Sequence, residues 1–216
     1  MKDLNDQKKI AVLIDADNAQ YSKIKLILDE ISKHGHVITK RAYGDWSSEY
    51  LKNWKTSLNE LAIQPIQQFA YTTGKNSTDS SLIIDAMDLL YAEKYDAFAI
   101  ISSDSDFTKL ASRLRESEMY VFGVGEKKTP ISFRNSCDDF IFTENLGEPI
   151  PSIIHTGLVN VSPSTDNEKI PQEIIDALLQ GWLQYKEDDT ENWANVAPVG
   201  GLLKRLKPDF DPRTYQ

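Results

Sequence analysis

"KIAVLID" (Lys9–Asp15) carries five consecutive apolar residues, Ile10 to Ile14, straight into a carboxylate. A short apolar run without alternation fits a strand buried on both faces, as in a parallel sheet. Outward from it the pattern repeats. "YSKIKLILDEISKHG" places Ile24, Ile27, Leu28 and Ile31 at helical spacing and ends on Gly35. "HVITKRAYG" is β-branched and strand-like, and "SEYLKNWKTSLNELA" is helical with Leu51, Trp54, Leu58 and Leu61 on one face. "IQPIQQFAY" predicts a third strand, "DSSLIIDAMDLLYAEK" a helix, "YDAFAIISS" a fourth strand and "DFTKLASRLRESE" a helix. "MYVFGVG" predicts a fifth strand, and a short helix around Ser132–Cys137 leads into "DDFIFTENL". Such β-α-β alternation predicts an α/β fold with a doubly wound, mostly parallel sheet.

The 216 residues, 40% hydrophobic and 26% charged, have an ordinary globular composition. That length suits one medium domain with a small appendage. No run of about 18 apolar residues is present, so no membrane-spanning helix is expected. "MKDLNDQKK" lacks the apolar core of a secretory signal, and the single cysteine, Cys137, permits no intrachain disulfide. A cytoplasmic location is the default expectation. The net charge of −9 argues against a bulk electrostatic grip on nucleic acid without excluding it as a substrate. Residues 1–147 read as the main domain, the Pro-, Ser- and Thr-rich residues 148–167 as a linker, and residues 168–216 as a small helical module.

The chemistry lies at the strand ends. "VLIDADNAQ" ends its strand on Asp15, and "AFAIISSDSDF" repeats the design with Asp104 and Asp106. In a sheet of order 3-2-1-4-5 the first and fourth strands are neighbours, and ligands bind at that switch point, outside the carboxyl ends. Asp79, in "GKNSTDSS", opens the helix before the fourth strand on the same edge. Carboxylates converging from separate segments repel unless a cation sits among them, and hard divalent ions prefer oxygen ligands. Asp15, Asp79, Asp104 and Asp106 are therefore candidate metal-holding and catalytic residues, with Asn18 and Ser103 as supporting donors. The plainer reading makes each Asp a helix cap. Asp85 and Asp88 lie on other faces of the Asp79 helix and stay outside the set.

Three separated motifs, "VLIDADNAQ", "KNSTDSSLIIDAMDLL" and "AIISSDSDFTKLASRLRESEMYVFGVG", resemble the NYN domain, a branch of the PIN-like metal-dependent nucleases. The resemblance implies a Rossmann-like sheet and an Mg²⁺- or Mn²⁺-dependent ribonuclease site. The family's first-strand Asp falls on Asp15, its companion Asn on Asn18, its helix-start Asp on Asp79, and its later pair on Asp104 and Asp106. Further acids of some PIN relatives match Asp138 and Asp139 only loosely. "EIIDALLQ" and "WANVAPVGGLLKRLKPDFDPRTY" resemble the OST-HTH (LOTUS) module, a winged-helix fold that binds RNA or protein. The family would continue past "TYQ", so on this resemblance either the chain is truncated or the module is incomplete. Its basic cluster is Lys204, Arg205, Lys207 and Arg213. RNA is the implied partner, with a homodimer and a protein partner for the module left open.

An acidic protein that cuts RNA needs a local basic rim, and Lys75, Lys127, Lys128 and Arg134 fall in loops on the expected edge, beside Asn76 in a polar turn able to approach a phosphate. Trp46 either stacks on a base there or packs over its neighbouring helix. Two rivals remain. "DADNA" also resembles the nucleophile loop of haloacid-dehalogenase-like phosphatases, with Asp15 as nucleophile and Asp17 as acid/base. A non-catalytic nucleic-acid-binding protein that keeps its carboxylates for a structural ion is the other.

Overall fold

Six strands form one parallel sheet: β1 (Lys9–Asp15), β2 (His36–Gly44), β3 (Gln64–Gln67), β4 (Ala97–Ile101), β5 (Tyr120–Gly125) and β6 (Asp139–Phe142). Their order is β3-β2-β1-β4-β5-β6, so winding reverses between β1 and β4 as the alternation implies. The computed structural model describes residues 8–69, 77–147, 171–185 and 196–215.

The five intervening helices are α1 (Ile24–Ile31), α2 (Trp54–Glu60), α3 (Ser77–Tyr91), α4 (Thr108–Glu116) and α5 (Ile131–Ser136). Successive strand residues point to opposite faces, and the core divides accordingly. Ile10, Val12 and Ile14 of β1 pack with Ala97, Ala99 and Ile101 of β4 beneath α1 and Trp54 of α2. Ala11 and Leu13 pack with Phe98 and Ile100 beneath α3, α4 and α5, against Leu82, Ala86, Leu110, Leu114 and Phe133. Both faces of β1 are covered, which is why its sequence shows no alternation.

Two elements are shorter than their sequence patterns. The stretch from Ser48 splits into a 3-10 turn (Glu49–Leu51) and α2, so only its second half is α-helical. β3 is four residues long and contains Pro65; it lies at the sheet edge, where a missing N–H costs least.

The chain divides into two compact units, Met1–Leu146 and Gly147–Gln216. The expected linker, 148–167, lies outside the described residues. In the second unit α6 (Gln172–Tyr185) packs on α7 (Val196–Leu206) through Ile174, Ala177, Leu203 and Phe210, followed by a 3-10 turn (Pro212–Tyr215). In the expected basic cluster, Lys207 pairs with Glu173, and Arg213 with Asp211 at 2.7 Å. No helix among the described residues is long and apolar enough to cross a membrane.

Candidate metal centre

Parity places the first carboxylate. With Ala11 and Leu13 facing α3 and α4, Asp15 continues onto that same face at the carboxyl end of β1. It is fully buried, and its oxygens are held by donors. Asn18 Nδ2 donates to Oδ2 at 2.7 Å, Ser102 Oγ to Oδ2 at 2.8 Å, and the Asp17 amide to Oδ1 at 3.2 Å. Burial pushes the Asp15 carboxyl above its ordinary range, and the Asn18 and Ser102 hydrogen bonds oppose the rise.

The same parity decides between two adjacent serines. Ile14 sits opposite Ile101, so Ser102 follows opposite Asp15 on the α3 face. Ser103, expected as a supporting donor, points the other way, and its Oγ accepts from the Glu126 amide at 2.9 Å. Ser102 takes that supporting place: besides donating to Asp15, its Oγ accepts from the Asp104 amide at 3.0 Å. Counting alternation from Phe98 and Ile100 would have found it. The turn is crowded, because a Cβ on Gly125 would sit 2.7 Å from the Ser102 carbonyl oxygen.

Asp79 in the first turn of α3, Asp104 and Asp106 offer carboxylate oxygens that all lie within 4.8 Å of one another, the one such group among the described residues. Asp104 caps the 3-10 turn Ser105–Phe107, its Oδ1 accepting from the Asp106 amide at 3.0 Å, so the capping role and convergence hold together at this residue. Asp15 is not in the trio, yet it is near enough to act on it. The Asp79 carboxyl is pushed up to about 6, by partial burial first and then by the charges of Asp15, Asp104, Asp106 and Asp17. Asp17, which the metal reading of the sequence left aside, thus belongs to the local field.

The donor set fits a hard divalent cation. All three groups are carboxylates, with no sulfur or imidazole among them. Oxygens across an octahedral Mg²⁺ lie about 4.2 Å apart, given metal–oxygen bonds of about 2.1 Å. The mutual repulsion felt at Asp79 is what such an ion relieves.

A pH dependence follows. Asp79 titrates at about 6 in the folded chain against an ordinary 3.8, so folding favours its protonated form. Its contribution to stability is full below about pH 4 and is lost as pH rises through about 6. Solvent at this half-exposed group screens the effect to about 1 kcal/mol. Without divalent ions, wild type should lose more stability than Asp79→Asn between pH 4 and 7. Mn²⁺ affinity should strengthen over the same interval, because the ion competes with the proton. Parallel melting curves for the two proteins across that range would refute the assignment.

Two of the three described rim cations have partners within the protein. Lys75 and Asn76 lie outside the described residues. Lys128 pairs with Glu126 at 2.9 Å, an interaction that holds the Glu126 carboxyl below its ordinary value. The Arg134 guanidinium lies over the Phe142 ring at 5.8 Å. Lys127 is exposed, and its backbone amide donates to Glu144 at 2.8 Å. Trp46 packs: its Nε1 donates to the Ile66 carbonyl at 3.0 Å and its ring meets Trp54 edge-on at 6.3 Å.

Comparison with known proteins agrees with this fold. A model of the NYN domain matches residues 9–146. Among solved structures, a protein of unknown function from Vibrio parahaemolyticus is similar, with 18% identity and a TM-score of 0.54 over 66% of this chain and 96% of that one. At that identity the likeness speaks for the fold alone. None of the curated proteins compared with the chain matches it.

Proposed function

Since the chain belongs to the NYN domain family, within the PIN-like nuclease superfamily, we propose that it is a divalent-metal-dependent ribonuclease whose site is the Asp79–Asp104–Asp106 cluster. The convergence of those three carboxylates at the β1/β4 switch point carries the reading. Asp79, Asp104 and Asp106 would hold Mg²⁺ or Mn²⁺. When bound, such an ion supplies Lewis-acid polarisation of a phosphoryl oxygen and neutralises charge developing there.

The remaining residues position that trio. A hydrogen-bond chain runs from the Asp104 amide to Ser102 Oγ and on to Asp15 Oδ2, which also accepts from Asn18. Asp15 is thus a positioning residue that fixes the backbone carrying Asp104. Lys127 is a candidate for the RNA backbone. The second unit, read as an OST-HTH-like module, would supply RNA capture or a partner contact, with Arg205 as an exposed cation.

The test is incubation of the full chain with mixed single-stranded RNAs and Mn²⁺, Mg²⁺ or chelator. Cleavage that requires metal supports the reading. Turnover of small phosphomonoesters with RNA left intact would favour the phosphatase rival, and RNA binding without cleavage the non-catalytic one.

A further inference from the structure

β3 divides its side chains between two grooves. Pro65 and Gln67 line one beside α2, whereas Gln64 and Ile66, with Gln68 just past the strand, line another beside α3, as period-two alternation requires. The α3 groove has a volume of about 590 Å³, within the range of small-ligand sites. Its far wall is α3 itself, from Ser80 and Ser81 through Ile84 to Asp88. Ser80 and Ser81 directly follow Asp79, so the groove begins beside the metal trio and runs about 12 Å down the helix.

From this geometry we infer that the groove is a nucleobase subsite, taking one unpaired base of the RNA strand whose phosphate lies at the carboxylates. The inference rests on the ribonuclease reading and specifies where its substrate lies.

Charge selects the occupant. Among the described residues the one cation lining the groove, Arg41, is tied to Asp85 at 2.5 Å, and Tyr43 Oη donates to the other oxygen of Asp85. Asp88 adds a second negative charge. A phosphate would be repelled from this floor, whereas a neutral base would not. Among the described residues no side-chain hydrogen bond engages Gln64, Gln68 or Ser81. Each glutamine amide presents a donor and an acceptor side by side, the arrangement that reads base edges. Ile84, 63% exposed, offers an apolar surface for the flat face of the ring. Reading the Watson–Crick edge requires a single strand, because pairing would occupy that edge.

The experiment is fluorescence anisotropy of the full chain with a ten-nucleotide RNA, in Ca²⁺, scanning one abasic nucleotide along the strand. Wild type should lose about tenfold in affinity when the abasic residue reaches one particular position, the scale of one or two neutral hydrogen bonds. Gln64→Ala/Gln68→Ala should lose a similar factor on intact RNA, lose nothing further at that abasic position, and keep wild-type Mn²⁺ affinity. Equal binding of intact RNA by wild type and double variant, with metal-dependent cleavage retained, would overturn the subsite and leave the ribonuclease reading standing. Absence of both RNA binding and cleavage in wild type would overturn the two together.

Discussion

Asp104→Asn should abolish metal-dependent RNA cleavage while leaving the fold in place. Loss of one of three carboxylates from the cluster removes both affinity for the ion and its alignment with the phosphoryl group. That interaction is worth several kcal/mol in the transition state, so the rate should fall by about a thousandfold or more. Stability should barely change, because Asn is as good an N-cap as Asp and its side-chain oxygen can still accept from the Asp106 amide. Repulsion in the trio also falls, so the Asp79 carboxyl, raised in part by Asp104, should titrate lower in this variant. Asp104→Ala separates the two roles: it loses the cap as well and should cost about 1 kcal/mol. Isothermal titration with Mn²⁺, a cleavage assay and thermal melts of both variants give the answer. Wild-type cleavage in Asp104→Asn would remove this residue from the metal centre.

Asp15→Ala should be the most destabilising single change at the site. The carboxylate is fully buried and accepts from Asn18, Ser102 and the Asp17 amide, so its removal strands several donors at once. Donors left without partners in a buried site cost about 1–3 kcal/mol each before relaxation or entering water relieves them. A net loss of about 2–4 kcal/mol is expected, or roughly 5–15 °C in Tm for a domain of this size. Asp15→Asn should cost less, near 1 kcal/mol, because a neutral amide is easier to bury, though its NH₂ must face one of the donors. Both variants should lose activity through the Ser102–Asp104 chain, by about 10- to 100-fold for the Asn form. An Asp15→Ala protein that melts with wild type would show that these hydrogen bonds hold nothing in place.

The sheet order and the switch point were legible because they follow from apolar runs separated by helical periods, and β1 and β4 are the strongest runs in the chain. The carboxylate cluster was legible for the same reason: Asp79, Asp104 and Asp106 all open a helix or turn on one edge. Ser102 rather than Ser103 supports Asp15 because strand parity, continued from Phe98 and Ile100, turns Ser103 to the opposite face. Side chains with two uses were the hardest to place. From sequence, Arg134 and Lys128 read only as phosphate contacts, and their partners Phe142 and Glu126 come from tertiary packing that the sequence does not show. Trp46 is a further case, since its ring is spent on Trp54 and the Ile66 carbonyl.

The hydrogen bond from Ser102 to Asp15 joins residues 87 positions apart. Every strand pairing in this sheet is parallel, so no local hairpin can bring β1 beside β4 early. During synthesis the β1 carboxylate must therefore wait, exposed and solvated, until β4 has left the ribosome. Only then do Asp15, Ser102 and Asp104 meet, and only then can the trio form. A nascent or prematurely ended chain lacking β4 holds no such centre, so the ability to cut RNA would arrive late in the life of the polypeptide. On the ribonuclease reading proposed above, this topology would act as a timer that withholds the activity from unfinished chains.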